Sequence, residues 1–369
     1  MTDATPIDIV YLWVDGNDPA WRRRRHRAAE KLSVLHRDAI AVYGNVEGRF
    51  RDNDELRYSL RALEKFFPEH GHVYIVTDAQ APGWLRASEH ITIVDHASLI
   101  PAASLPTFDS GNIESYIHRI PNLSERFFYF NDDVFFGAPV KVDDWFSDDG
   151  IRVAWSDEPM VSDEPLRQDA TSLENACRLS GQWLAARDFP AYRHTFRTFA
   201  HSPRPMLRSM LFALEVAAPD MFSMVRSTVF RTWDKPTIVS DFVMRWAIAN
   251  GVATVRDYSH LYVSTGDTDT AHQLAALIAQ LGKLAFFCIN DTTDDAHTLD
   301  PRLALVREAL QQIFPEASGF ENDALAGQPA PYRRRRSDAV NPVLQRNLYE
   351  LDLHKVGGMV PVTGAEEIV

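Results

Sequence analysis

Apolar residues along this chain come in short unbroken runs, each closed by acidic or turn-forming residues. Residues 7–14 (IDIVYLWV) end in Asp15-Gly16-Asn17-Asp18, and residues 72–77 (HVYIVT) end in Asp78. Residues 91–94 end in Asp95-His96, and residues 127–130 (FFYF) end in Asn131-Asp132-Asp133. Runs of this length without polar alternation predict strands buried on both faces. Three of the four strands are separated by helix-compatible segments, the signature of a Rossmann-like α/β fold with a mostly parallel sheet. In residues 52–67, Leu56, Leu60, Leu63 and Phe67 form an apolar stripe at helical spacing, with Asp52 or Asn53 placed to cap it. Ile113, Ile117 and Ile120 predict another helix, capped near Ser110 and stopped by Pro121. Residues 21–43, 173–189, 206–216, 242–250 and 301–314 read as further helices.

The acidic strand ends carry the first chemistry. Side chains alternate faces along a strand, so Asp132 and Asp133 cannot both enter the core and must mark where the strand stops. In an open α/β sheet that end is where ligands bind. Two adjacent carboxylates there point to a divalent cation, Mg²⁺ or Mn²⁺, held between them and phosphate oxygens. A solvated Asx turn is the alternative. On the same grounds Asp15, Asp78, Asp95 and the Asp132/Asp133 pair are expected to rim one crevice. Gly16 lets the backbone approach a ligand closely. Asp15 stays open between a ribose, base or metal contact and a plain turn residue. No GxGxxG or GxxxxGK[ST] follows the first strand, which argues against dinucleotide dehydrogenases and P-loop ATPases.

Other candidates divide between two readings. Arg57 and Arg61 lie one helical turn apart; they pair with Asp54 and Glu64 on the surface, or Arg57 meets a phosphate. Glu114 and His118 fall on one side of a segment that runs into the Asp pair. That brings His118 and Arg119 forward as site residues against an ordinary surface pair. His201 precedes Pro203 and Pro205, which fix the local backbone and aim the imidazole. Residues 286–291 (FFCIND) repeat the pattern of an apolar strand ending in Asn-Asp.

Composition sets outer limits. A chain of 369 residues buries a large core, as two domains or one decorated domain. A net charge of −13 argues against nucleic-acid binding, although the arginines at 22–25 and 333–336 suit phosphates or a membrane face. Cys177 and Cys288 are far apart and form no CxxC, so neither a disulfide framework nor a structural zinc site is expected. No window reaches the roughly 18 apolar residues of a spanning helix, and the start lacks a basic, apolar leader. The expectation is a cytoplasmic protein, at most peripheral at the inner face of a membrane through its basic tail and the amphipathic stretch at 343–351.

WVDGND at 13–18, DNDELRYSLRALEKFFP at 52–68, HVYIVTDAQAPGWL at 72–85 and LPTFDSGNIESYIHRIPNLSERFFYFNDDVFFG at 105–137 resemble the first two conserved regions of the Stealth family. That family includes bacterial capsular-polysaccharide sugar-phosphate transferases and the catalytic subunit of the animal lysosomal-enzyme N-acetylglucosamine-1-phosphotransferase. AHSP at 200–203 and VFRTWD at 229–234 are similar to its third region, and KLAFFCIND at 283–291 to its fourth. Thr228 stands where the resemblance leads one to expect a histidine. The resemblance implies a glycosyltransferase-A-like core with helical insertions. It also implies transfer of hexose- or N-acetylhexosamine-1-phosphate from a UDP-sugar to a hydroxyl of an oligo- or polysaccharide acceptor, with UMP released. The chain then divides into a nucleotide-sugar-binding half (1–150), an acceptor-side half completing the same unit (151–315), and a linker with a basic tail (316–369). In that frame Asp132 and Asp133 hold the cation and pyrophosphate, with Asn131 and Asn53 beside the donor. Asp15 and Gly16 stand at the nucleotide end, and Arg57, Arg119 and Arg231 meet phosphoryl charge. His201 is the general base, with His118 second. The rivals are a retaining glycosyltransferase releasing UDP and a noncatalytic protein that binds nucleotide sugar or polysaccharide.

Overall fold

The computed structural model describes residues 6–187, 189, 191–296 and 300–322. The four apolar runs are strands: β1 (Asp8–Leu12), β2 (Val73–Thr77), β3 (Ile91–Asp95) and β4 (Arg126–Asn131). Six further strands follow: β5 (Val134–Phe136), β6 (Ile151–Val153), β7 (Arg204–Leu207), β8 (Ala253–Val255), β9 (His260–Ser264) and β10 (Phe286–Asn290). The main sheet runs β3-β2-β1-β4-β7. Its first four strands are parallel, and β7 is antiparallel to β4. Successive strands build outward from β1 to β3, and the chain then returns to lay β4 on the other flank of β1, with Leu12 opposite Asn131. That reversal places a crevice at the carboxyl ends of β1 and β4. A second sheet has the order β5-β10-β9, and a two-stranded ladder pairs β6 with β8. The architecture is mixed α/β with mostly parallel sheets, compatible with a Rossmann-like fold.

β1 and β2 are buried along their whole length, as two-sided strands must be. The helix Glu55–Phe66 lays Leu56, Leu60 and Leu63 into the same core. One hydrophobic cluster joins both halves of the chain, from Ile9 and Phe128 to Phe242 and Phe287. A smaller cluster of Trp21, Phe50, Phe108 and Phe230 sits apart from it.

Several helix boundaries differ from the periodicity. Residues 21–43 hold two helices, Pro19–Lys31 and Val34–Asp38, because Leu32 turns extended and Ser33 caps the second. Residues 110–120 are split between an α-helical turn, Ser110–Glu114, and a 3₁₀ turn, Ile117–Arg119. The cap of the first is Asp109, which accepts from the Gly111 N–H at 3.0 Å. Met206 and Leu207 belong to β7, and the helix begins only at Arg208. Pro203 and Pro205 bias the residues before them toward extended backbone, which suits a strand. The helix after residue 242 runs Val243–Ala249 behind a π-turn, Ile238–Phe242. Ser172–Ala185 carries a capping box between Thr171 and Glu174. The basic cluster at 333–336 and the stretch at 343–351 lie outside the described residues. Among the described residues no helix is long and apolar enough to cross a membrane.

Gly16 shows why the turn after β1 is tight: a Cβ there would lie 2.0 Å from the Phe50 carbonyl oxygen. Protein backbone, rather than a ligand, makes the close approach. Gly16→Ala is therefore expected to lower stability by about 1–3 kcal/mol, the usual range for overpacking, read as a lower urea midpoint. An unchanged midpoint would show that the 48–50 segment moves aside freely.

Candidate functional site

The chain leaves the main sheet at Asn131 and enters the second sheet at Val134, so Asp132 and Asp133 form the joint between them. The Asp133 carbonyl accepts from the Ile289 N–H at 3.0 Å, and the Ser59 hydroxyl donates to the Val134 carbonyl at 2.7 Å. The Tyr129 hydroxyl lies 2.8 Å from Asn131 Oδ1 and 2.9 Å from Glu114 Oε1. Around the joint opens a cavity of about 350 Å³ whose walls include Asn131, Asp132, Asp133, Glu55, Arg49, His201 and Arg231. Its size and mixed walls suit a small-molecule site.

One part of the wall gathers carboxyls. Burial, then Asp133 and Asp52, push the Asp132 carboxyl well above the ordinary carboxylate range. Burial, then Asp52 and Asp132, do the same to Glu55. Asp133 is pushed up to about 6 by burial, against the opposing pull of Cys288, Arg204 and Arg49. Asp52 rises to about 7 through burial and Asp54, although Trp13 Nε1 donates to it at 3.2 Å. Such a cluster favours either bound protons or a bound cation. Asp133 Oδ1 is buried with no protein partner, and donor atoms of Asp133, His201 and Cys288 lie within 4.8 Å of one another. A possible metal site is thus present; the Cys288 thiol is a soft ligand held protonated by burial, so Mg²⁺ or Mn²⁺ would be met by the carboxylates rather than by this thiol.

Another part of the wall gathers guanidiniums. Arg231 Nη2 donates to Ser110 Oγ at 2.5 Å, and Arg49 Nη2 donates to the same oxygen at 3.0 Å. Burial and the neighbouring Arg231 bring Arg49 down to about 9, and its Nε is buried without a partner. Two cations converging on one hydroxyl suit an anion. Asp109 anchors it, with Oδ1 3.5 Å from Arg231 Nε and Oδ2 2.8 Å from the Thr228 hydroxyl. His201 stands near both groups. Burial, then Arg204, Arg231 and Arg49, bring it down to about 3, so its ring is neutral at physiological pH.

Asn131, Asp132, Asp133, His201 and Arg231 come together in this cavity, joined by Asn290 and Asp291. Asp291 is already paired with Arg51. Other candidates are placed elsewhere. Arg57 and Arg61 are bound to Glu321, not to Asp54, Glu64 or the cavity. His118 and Arg119 are bound to Glu215 at 2.8 and 2.6 Å, and Arg226 holds the same carboxylate. The break after Glu114 turns His118 away from it, and burial brings His118 down to about 4. Asn53 bonds the Glu55 carboxylate through its backbone N–H at 2.5 Å and its side-chain amide at 2.9 Å. Asp15 sits in the turn beside Gly16, accepting from the Asn17 N–H at 2.8 Å, with its backbone held by Gln80. Asp78 pairs with Arg24 at 2.7 Å and Asp95 caps the turn at His96–Leu99, so neither rims the cavity. Arg49, Glu55 and Tyr262 also line the cavity, and Arg204 lies near His201, with no motif to mark them in the sequence. Arg49 lies in an aperiodic loop, and Glu55 reads as an ordinary first-turn acid; neither carries a local signal.

Residues 5–33, 49–154 and 282–332 match conserved regions 1, 2 and 4 of the Stealth proteins. Curated relatives include an exopolysaccharide phosphotransferase of Streptomyces coelicolor, 36% identical over 326 residues, covering 88% of this chain and 53% of that protein. One of the same name in Mycobacterium tuberculosis is 32% identical over 325 residues, covering 86% of this chain and 58% of that protein. Another, from Nocardia farcinica, is 32% identical over 332 residues, covering 88% of this chain and 63% of that protein. The chain therefore spans little more than half the length of these relatives.

The raised carboxyls make the folded chain bind more protons than the unfolded chain above the ordinary carboxylate range. Their contribution to stability is therefore lost as pH rises through about 6 for Asp133 and about 7 for Asp52. A cation in the site offsets that loss. Millimolar Mn²⁺ or Mg²⁺ is expected to raise the melting temperature by roughly 2 °C or more near pH 7.5, and by less near pH 5. Asp133→Asn should raise the metal-free melting temperature near pH 7.5 and abolish the metal-dependent rise. A wild-type melting temperature indifferent to both metals would overturn the cation assignment.

Proposed function

The chain belongs to the Stealth family, and from that premise we propose that it is a sugar-1-phosphate transferase acting in exopolysaccharide or other cell-surface polysaccharide synthesis. It moves hexose- or N-acetylhexosamine-1-phosphate from a UDP-sugar to a hydroxyl of an oligo- or polysaccharide. The observation that carries this reading is the cavity's division of charge: Arg49 and Arg231 converge on Ser110 while Asp132 and Asp133 line the same space beside a neutral His201. A sugar pyrophosphate needs both, guanidiniums for its oxygens and carboxylates for the cation that accompanies it. The relatives' name, exopolysaccharide phosphotransferase, supports the same chemistry. A glycosyltransferase-A-like core, a donor half up to residue 150, and a cytoplasmic location with peripheral membrane contact belong to this proposal.

In the proposed reaction the acceptor oxygen attacks the sugar-linked β-phosphorus. The bond from that phosphorus to the bridging oxygen breaks, and UMP departs with the electron pair. His201 takes the acceptor hydroxyl's proton. The arginines depress its basicity, and the donor's negative charge, once seated between them, restores it. Arg49 and Arg231 hold the phosphoryl oxygens in line for attack, where positioning and charge neutralisation supply most of the catalysis. Asp132 and Asp133 would hold Mg²⁺ or Mn²⁺, which when bound neutralises pyrophosphate charge. Asp15, Gly16 and Asn53 are not part of the cavity wall, so in this proposal they shape the turn after β1 and hold Glu55 rather than touch the donor.

Mass spectrometry of the nucleotide product tests it, using a panel of UDP-sugars, Mn²⁺ or Mg²⁺ and oligosaccharide acceptors. The expected result is acceptor-dependent UMP with an acceptor mass gain of sugar plus phosphate. UDP with a gain of sugar alone would mean glycosyl transfer, and metal-dependent UDP-sugar binding without turnover would mean a noncatalytic role. His201→Ala is expected to lower turnover by about 10²–10⁴-fold, and Asp132→Asn to leave a folded, nearly inactive protein. Substantial turnover by Asp132→Asn would remove that residue from the mechanism.

A further inference from the structure

Arginines and carboxylates account for the donor, yet another stretch of the cavity wall has different chemistry. It consists of Tyr262 on β9, Glu158, and Asn290 and Thr292 at the end of β10. Tyr262 is 37% exposed on the edge strand β9, and its ring centroid lies 5.3 Å from that of His201. Glu158 is placed by the segment that also places His201. Trp155 and Phe199 bridge as antiparallel partners with their rings stacked at 4.3 Å, and the Ser156 N–H donates to the Thr198 carbonyl at 2.9 Å. The Thr198 hydroxyl then donates to Glu158 Oε2 at 3.0 Å. Thr292 Oγ1 lies 3.0 Å from Ser264 Oγ, so a further pair of hydroxyls stands on this side.

These groups discriminate among ligands. A pyrophosphate finds its cations at Arg49 and Arg231, and the carboxylate here repels it. An apolar chain would take the Glu158 carboxylate and the Asn290 amide out of water with no new hydrogen bond in return. A sugar ring satisfies both kinds of group: its C–H face packs on an aromatic ring, and its hydroxyls bond carboxylate, amide and hydroxyl. We propose that Tyr262 and Glu158, with Asn290 and Thr292, form the acceptor subsite, which seats a saccharide ring on Tyr262 so that one of its hydroxyls faces His201. This inference rests on the phosphotransferase reading. It adds a direction: the acceptor enters over β9 and the 155–158 segment, and the donor lies toward Ser110 and β4.

The test uses the full chain, Tyr262→Ala, Tyr262→Phe and Glu158→Gln, with the UDP-sugar and oligosaccharide pair that gives turnover. UDP affinity is measured separately through the fluorescence of Trp13 and Trp21, which line the cavity. Tyr262→Ala is expected to raise the acceptor KM roughly tenfold, while donor KM and UDP affinity stay within about twofold. Tyr262→Phe should recover most of that loss, because the ring rather than the hydroxyl makes the platform. Glu158→Gln should raise the acceptor KM with the donor KM held. Acceptor KM unchanged in both Tyr262→Ala and Glu158→Gln overturns the subsite, as does an equal rise in donor and acceptor KM. A wild-type chain that neither binds UDP nor turns over sinks the phosphotransferase reading itself, and the subsite with it.

Discussion

β4 cannot carry its two carboxylates into the core, and the surrounding structure is arranged about that constraint. Phe127, Phe128 and Phe130 have no exposed surface and lie between β1 and β7. Each such side chain contributes about 1.5–3 kcal/mol by burial, which holds the strand in register. A slip that carried Asp132 between the flanking strands would bury a charge where no cation waits. The strand therefore stops at Asn131 and resumes as β5 in another sheet, with Phe135 stacked on Phe287 at 4.7 Å. The acidic pair is clamped from both sides by largely apolar ladders, one of which also brings the Cys288 thiol to Asp133.

Several ionic groups away from the cavity are matched locally. Glu215 is met by His118, Arg119 and Arg226, and Glu321 by Arg57 and Arg61. Asp241 is fully paired with Arg245. Around the cavity the pattern inverts: carboxyls crowd carboxyls, and Arg49 crowds Arg231. Asp133 Oδ1, His201 Nδ1, Arg49 Nε and two nitrogens of Arg204 are buried without partners there. Buried atoms without partners also occur away from the cavity, on Arg25, Arg119, Arg152 and Asp234, but around the cavity they coincide with like charges crowding one another, the pattern expected of a functional site.

The matched family regions supply much of that cavity. Region 1 contributes β1 and the helix Pro19–Lys31, region 2 contributes Arg49, Glu55 and the Asp132-Asp133 joint, and region 4 contributes β10. His201, Arg231 and Tyr262 lie between regions 2 and 4 in the chain. β7 pairs with β4 and β9 with β10, so the intervening segment brings these residues back to the joint.

What the amino-acid sequence determined by itself was set by local rules. Continuous apolar runs made the four parallel strands, helical spacing made the Leu56, Leu60 and Leu63 face, and the period-two rule put Asp132 and Asp133 at a strand end. Those signals also sufficed to place Asn131, Asp132 and Asp133 at the carboxyl end of β4, in the cavity wall. Tertiary structure alone decided which remaining polar residues join them. Arg57 and Arg49 are both arginines in polar surroundings, yet Glu321, 264 residues away, takes one while the 48–50 turn aims the other into the cavity. Glu114 and His118 share a predicted face, but a change from α to 3₁₀ winding sends one to Tyr129 and the other to Glu215. An ionic side chain's partner depends on distances of a few ångströms between segments hundreds of residues apart, and no local pattern encodes them.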